Sequence, residues 1–257
     1  MRRTPPPIEI DRARYPVAPW ALVETGLGND DGGLTGTLFA VGNGYLGMRA
    51  DWAPDPESAG TYVNGFHETF PIVHAEQAHA LARTGQSLLN APDTKSLEVA
   101  LGDEVLRIEA GHPDRADVTD HRRTIDFREG VLRSQFTWRT RSGVEARVES
   151  ERLVSLTHRH LAVMRLWVTI VSGSAPLTIR SQLVNRQDVT APGTADGGTP
   201  TRSDPRRGRT FDHRVLDPVL QDHEEPDDPD GGTLTLGFRA RNSGMRIAVA
   251  QRHAVEA

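Results

Sequence analysis

The stretch 132-LRSQFTWRTRSGVEARVESE-151 alternates with period two on both sides of a turn, and its reading decides the fold class. Leu132, Phe136 and Trp138 share one face with Ser134, while Arg133, Gln135, Thr137 and Arg139 share the other. After 141-RSG-143 turns the chain, Val144, Ala146 and Val148 alternate against Glu145, Arg147 and Glu149. Successive side chains of a strand point to opposite faces, so the segment reads as an antiparallel hairpin with one dry face and one wet face. The wet face carries charges of both signs, which suits cross-strand pairing.

The same period recurs near 96–101, 104–109, 161–171, 176–184, 233–240 and 245–250, mostly between Gly, Pro, Asp or Asn turn signals. The run 161-LAVMRLWVTIV-171 is more continuously apolar, and its β-branched and aromatic residues predict a central strand covered on both faces. One helix is expected over 74-HAEQAHALART-84, rich in alanine and followed by Gly85. Residues 186–210 hold almost no apolar anchor and 217–232 are acidic and Pro-bearing, so both are expected to be mobile loops. A calcium site at Asp227, Asp228 and Asp230 is the weaker reading of the second, because the ligand register is missing. The class expected is therefore mainly β: a large antiparallel β-sandwich (supersandwich) with few short helices.

Composition removes several functions. The 257 residues carry a formal net charge of -5, which argues against nucleic acid, and Lys95 is the sole lysine among many arginines. There is no cysteine, hence no disulfide, thiolate zinc site or cysteine nucleophile. The segment 1-MRRTPPPIEIDRARYPVAPW-20 has prolines and charges where a signal peptide carries its apolar core, and no apolar run approaches a membrane span. A cytoplasmic protein with no membrane partner is expected.

The glycine-rich stretch 38-LFAVGNGYLGMRADW-52 poses a choice between a phosphate-cradling loop and a structural corner. A dinucleotide fingerprint needs a helix after its glycines, yet Asp51, Trp52, Pro54 and Pro56 follow. The corner reading uses Asn43 in left-handed backbone and the glycines at positive φ. His67, His74 and His79 lie around Glu68 and Glu76, but their spacings match no familiar zinc pattern, so no metal is expected. No Ser is framed by G-x-S-x-G, and no carboxylate stands in a sequence setting that marks it as desolvated.

The blocks 37-TLFAVGNGYLGMRAD-51, 60-GTYVNGFHETFPIVHAE-76, 123-RTIDFREGVLRSQFTWRTRSG-143 and 147-RVESERLVSLTHRHLAVMRLWVT-169 together resemble the N-terminal domain of glycoside hydrolase family 65. The resemblance runs in order from about Trp20 to the end, leaving 1–19 as an N-terminal extension and 20–257 as the domain. It departs at Gly36, where the family more often has a charged residue. It implies a non-catalytic β-supersandwich that packs against an (α/α)₆ catalytic barrel absent from this chain. The complete enzyme would invert and cleave an α-linked glucose disaccharide, by phosphorolysis with inorganic phosphate as co-substrate or by hydrolysis, without a further cofactor. No catalytic residue is carried over, because the family's acid and phosphate ligands belong to the barrel. Asn43, Tyr45, Trp52, Tyr62, Asn64 and Phe66 are the candidates for a domain-interface or sugar-proximal role. Their aromatics, with Phe39, are expected chiefly to fill the core or brace the corner, and an apolar patch is expected to border them. Rival readings are a free-standing carbohydrate-binding module, which needs an exposed aromatic platform, and a dimerising module, hence a homodimer.

Overall fold

A computed structural model of the protein describes residues 10–28, 32–50, 60–72, 74, 79–108, 112–189, 214–224 and 232–256. In chain order the elements are β1 (Val17–Ala18), β2 (Ala21–Thr25), α1 (Gly32–Leu38), β3 (Val41–Gly42), β4 (Leu46–Met48), β5 (Thr61–Pro71), β6 (Thr84–Asn90), β7 (Asp93–Leu101) and β8 (Glu104–Val105). They continue as β9 (Asp117–Asp126), β10 (Val131–Arg139), β11 (Glu145–Val154), β12 (Ala162–Ser172), β13 (Leu177–Val184), α2 (Arg186–Val189), β14 (Leu216–Glu224), β15 (Thr233–Ala240) and β16 (Arg246–Arg252). The fold is mainly β, with several antiparallel sheets, as the alternation predicts for a β-sandwich. The chain divides into two compact units, Met1–Asn43 with Glu98–Ile179 and Gly44–Leu97 with Arg180–Ala257.

The first unit is built on a six-stranded sheet of order β1-β2-β9-β10-β11-β12. Its centre is the hairpin read from the sequence, with Phe136 opposite Val148 and Trp138 opposite Ala146. Phe136, Trp138, Ala146 and Val148 are all at most 2% exposed, so this one face supplies much of the core. The Thr140 N–H donates to the Val144 carbonyl at 2.9 Å, and Gly143 takes φ +88°, a backbone that a β-carbon would strain. On the wet face Arg133 pairs with Glu151 at 2.8 Å and Arg139 with Glu145 at 3.0 Å.

Strand β9, 117-DVTDHRRTID-126, is too polar to show as a strand in the sequence, yet it lies between β2 and β10. Its inward row, His121, Arg123 and Ile125, is buried, and Glu24 on β2 answers the cations. The Glu24 carboxylate accepts bonds from Arg14 Nη2 at 2.7 Å and Tyr15 Oη at 3.3 Å, and lies 3.5 Å from Arg123 Nη1. Through Arg14, and through a Thr25 N–H bond to the Arg14 carbonyl, residues 11–18 of the supposed extension are fastened to the sheet.

Three expectations need correction. Strand β12 is not central: it is the edge of its sheet, and Val163, Trp167 and Val171 point outward at 38%, 44% and 59% exposure. Its continuous apolar run reflects one face on the core and one face left open. No helix forms over 79–84, where a turn with Ala80 at φ +68° leads straight into β6; residues 75–78 lie outside the described residues. Alanine propensity over so short a window does not meet the cost of helix nucleation against an available strand ladder. Part of each segment expected to be a loop is regular structure. Residues 186–189 form α2, and 217–224 belong to β14, an edge strand whose Pro218 sits at a register shift between Pro218 and Leu220. The remaining positions, 190–213 and 225–231, lie outside the described residues, Asp227, Asp228 and Asp230 among them.

In the second unit β14, β15 and β16 form an antiparallel sheet, and β5 pairs with β4 and β6. The core there gathers Phe66, Leu89, Val215, Leu216, Phe238 and Ala240. Among the described residues no helix is long and apolar enough to cross a membrane.

Candidate functional site

The glycine-rich stretch is held by hydrogen bonds that can be described within each unit separately. In the first unit the Asn43 side-chain amide donates to the Ser155 carbonyl at 2.6 Å and to the Arg159 carbonyl at 3.0 Å, tying down the turn between β11 and β12. Its backbone is not left-handed, so Asn43 works through its amide and not through a permissive φ. In the second unit Gly44 does take φ +84°. The Asn64 N–H donates to the Tyr45 carbonyl at 2.7 Å and the Asn64 amide to the Gly44 carbonyl at 3.2 Å. The β4–β5 ladder then sets Gly47 opposite Tyr62. Phe66 is buried in the core, Tyr45 and Tyr62 are half-buried, and Asn64 is exposed. Trp52 lies outside the described residues. The structure thus brings Tyr45, Tyr62 and Asn64 together on one hairpin. Exposed large apolar side chains include Leu38 in the glycine-rich stretch and Leu88 on β6, with further ones on β12, β13 and β14.

Directly after the corner lies a feature that sequence reading weighed only as a metal ligand. Glu68 is fully buried, and its carboxylate accepts N–H bonds from Thr69 at 2.8 Å, Ser243 at 2.7 Å and Asn242 at 3.0 Å. The Ser243 hydroxyl donates to the His67 carbonyl at 2.7 Å. Burial alone would raise the Glu68 pKa, but the backbone donors outweigh it and hold the group ionised, below its ordinary value. The carboxylate therefore anchors the β15–β16 turn on β5. His67 and His74 each meet a backbone carbonyl at 2.7 Å, and among the described residues no cluster of three or more potential ligands could hold a metal ion.

A second buried network surrounds the sole lysine. Asp93 and Lys95 are 4% and 7% exposed; Lys95 Nζ lies 3.5 Å from Asp93 Oδ1, and Arg186 Nη2 donates to Asp93 Oδ2 at 2.7 Å. Burial would raise the Asp93 pKa, yet Lys95 and Arg186 together pull it down. Next to Arg186, Gln187 Oε1 accepts the N–H groups of Val215 and Leu216, so α2 clamps the start of β14. A lone lysine in an arginine-rich chain was the one signal of this site in the sequence.

The first unit also holds an open groove of about 650 Å³ lined by Glu104, Arg107, His112, Asp114, Arg139 and Arg141. Its charges are spent on the protein itself: Arg107 pairs with Glu98, Arg139 with Glu145 and Arg141 with Asp114. Glu104 accepts the Arg141 and Ser142 N–H groups. Arg141 lowers the Asp114 pKa, the opposite of what a general acid needs.

Comparison with known proteins places the chain in a family. Residues 22–257 match the model of the glycosyl hydrolase family 65, N-terminal domain. An uncharacterised glycosyl hydrolase of Mycobacterium tuberculosis is 31% identical over 249 residues, 96% of this chain and 29% of the relative. An alpha,alpha-trehalose phosphorylase of Thermoanaerobacter brockii is 30% identical over 156 residues, 58% of this chain and 20% of its own. A kojibiose phosphorylase of Halothermothrix orenii is 26% identical over 233 residues, 90% of this chain and 24% of its own. The fold matches a solved structure from the human microbiome, assigned as a kojibiose phosphorylase, with a TM-score of 0.65 at 14% identity over 96% of this chain and 33% of that one. The chain spans less than a third of the length of these relatives. With its family model matched from residue 22 to residue 257, the chain belongs to glycosyl hydrolase family 65 as an N-terminal domain.

Proposed function

We propose that this domain is the non-catalytic β-sandwich of an enzyme that cleaves an α-glucosidic disaccharide with inversion, and that it packs against a catalytic barrel encoded beyond it. The observation that carries the reading is the family match over 22–257, seen against phosphorylase relatives roughly three to four times as long. In such an enzyme phosphate attacks the anomeric carbon while a carboxylic acid protonates the departing sugar oxygen. Water replaces phosphate if the enzyme is a hydrolase. That acid must be held protonated near neutral pH. The described carboxylates with a perturbed pKa, Glu68, Asp93, Asp114 and Asp126, are all shifted the other way. They are built to stay ionised and to fasten turns, which suits a scaffold. The β4–β5 hairpin that carries Tyr45, Tyr62 and Asn64 is proposed as the part that approaches the barrel.

The test is complementation. Co-expressed with the remaining two-thirds of the mycobacterial relative, this domain should co-purify with it. The complex should release glucose 1-phosphate or glucose from trehalose, kojibiose or nigerose. Failure of the two parts to associate would remove the packing claim. Association without any turnover would remove the substrate class.

A further inference from the structure

Strand β12 is an edge of 11 residues, against 9 in β14 and 2 in β1, and its far side is paired with no described strand. Two hydrogen bonds fix which of its backbone groups face that side. The Thr140 N–H donates to the Val144 carbonyl at 2.9 Å, so the even-numbered residues of β11 bond to β10 and the odd-numbered ones to β12. The Ser155 N–H donates to the Leu161 carbonyl at 2.9 Å, in the same phase. The odd residues of β12 are therefore spent on β11, and Ala162, Met164, Leu166, Val168 and Ile170 turn their N–H and C=O groups to the open side. Nothing in the strand blunts this edge. It holds no Pro, no Lys and one charge, Arg165, whereas the β14 edge carries Asp217, Pro218, a register shift, Asp222 and Glu224. A long apolar edge without such devices is a template for another strand.

We infer that β12 pairs antiparallel with β12 of a second copy of this chain, about a two-fold axis at Leu166. The residues with open groups run from 162 to 170 and centre on Leu166, so this register leaves none of them over. It sets Ala162 against Ile170, Met164 against Val168 and Leu166 against itself, and each such pair exchanges two hydrogen bonds, about ten in all. On the solvent face it sets Val163 opposite Thr169 and Arg165 opposite Trp167 of the second copy. Within one chain Arg165 already stands across from Glu151, and Trp167 across from Glu149. The joined row then reads carboxylate, guanidinium, indole, carboxylate, with each guanidinium meeting an indole ring and no like charges opposed. Moving the axis to Arg165 would set the two arginines against each other, and every other shift strands open groups at the ends. A strand of another protein could satisfy the backbone, but matching Arg165 to Trp167 in both directions at once is a property of this strand against itself. Such an isologous contact closes: the joined sheet ends on both sides in the two-residue β1, so growth stops at a dimer. The pairing uses no part of the reaction proposed for the complete enzyme, so the two ideas fail separately.

The experiment joins sedimentation with cross-linking. The purified chain should show a monomer–dimer equilibrium with a Kd of roughly tens of micromolar, and Trp167→Lys, which faces Arg165 with a like charge, should weaken it at least about tenfold. Val219→Lys, an exposed position on β14, should leave it unchanged. Well below that concentration the chain is monomeric, so its own stability does not depend on the pairing. The register is read through cysteines, of which the native chain has none. Val163→Cys and Thr169→Cys lie at exposed positions that the pairing brings to a Cα separation of about 4.5 Å, within disulfide range. A mixture of the two variants under mild oxidant should give a disulfide-linked dimer of one copy of each. Neither variant alone should, because its two cysteines would stand about 20 Å apart. A wild type that stays monomeric at about 200 µM overturns the inference and leaves the edge to a segment of the longer enzyme. So does open-ended growth past the dimer, equal weakening by Val219→Lys, or cross-linking of each cysteine variant alone as readily as of the mixture.

Discussion

His121 is 5% exposed, stacked on the Phe136 ring, with one ring nitrogen 3.0 Å from the Gly26 carbonyl and Nε2 without a partner. Burial, and next the Arg123 charge, depress its pKa from 6.5 to about 4. The folded chain therefore refuses a proton that the unfolded chain accepts, so stability is full above pH 6.5 and is lost as pH falls toward 4. The loss should reach about 3 kcal/mol at most, and urea unfolding of His121→Phe should show a flatter profile across that window. Glu68 acts lower on the scale. Its folded pKa lies below the ordinary 4.5, so its contribution is present above that value and disappears as pH falls through the depressed one. At neutral pH Glu68→Gln should cost about 2 kcal/mol, because a neutral amide cannot accept from the same set of backbone donors. Equal stability of Glu68→Gln and wild type at pH 7 would show that the anchored turn does not need the charge.

Trp138 on β10 and Trp167 on β12 set the inner and outer limits of one sheet. Trp138 is 1% exposed, and Trp138→Ala should cost about 3–5 kcal/mol in chemical denaturation. Trp167 is 44% exposed on an edge strand, and Trp167→Thr should change stability by less than about 1 kcal/mol while improving solubility. A large loss at Trp167 would mean that β12 is covered after all. The contrast also marks what the sequence could tell. The β10–β11 hairpin was legible because alternation, turn glycine and charge pairing all agree within 20 residues of chain. The polar β9 was not, because its buried His121 and Arg123 make sense only beside Glu24, which lies about a hundred residues earlier. Strand β12 had the right period but no local sign of which face would stay open. Glu68 stood in a quoted motif, yet its partners, Asn242 and Ser243, are 174 and 175 residues away.

For the whole molecule, family membership and a mainly β fold agree, and the function proposed above puts catalysis outside this domain. Asp93, Asp114 and Glu68 serve as anchors for Arg186, Arg141 and the β15–β16 turn. Those ties would cost stability if any of these groups were protonated to act as an acid. Scaffold and catalyst are on this account different parts of one enzyme. The most direct measurement is turnover by the purified chain alone. It is incubated with trehalose, kojibiose and nigerose, with and without inorganic phosphate, and the products are followed by chromatography. The account predicts no glucose and no glucose 1-phosphate above the blank in any mixture. Sustained release of either product that scales with the concentration of this chain would contradict it.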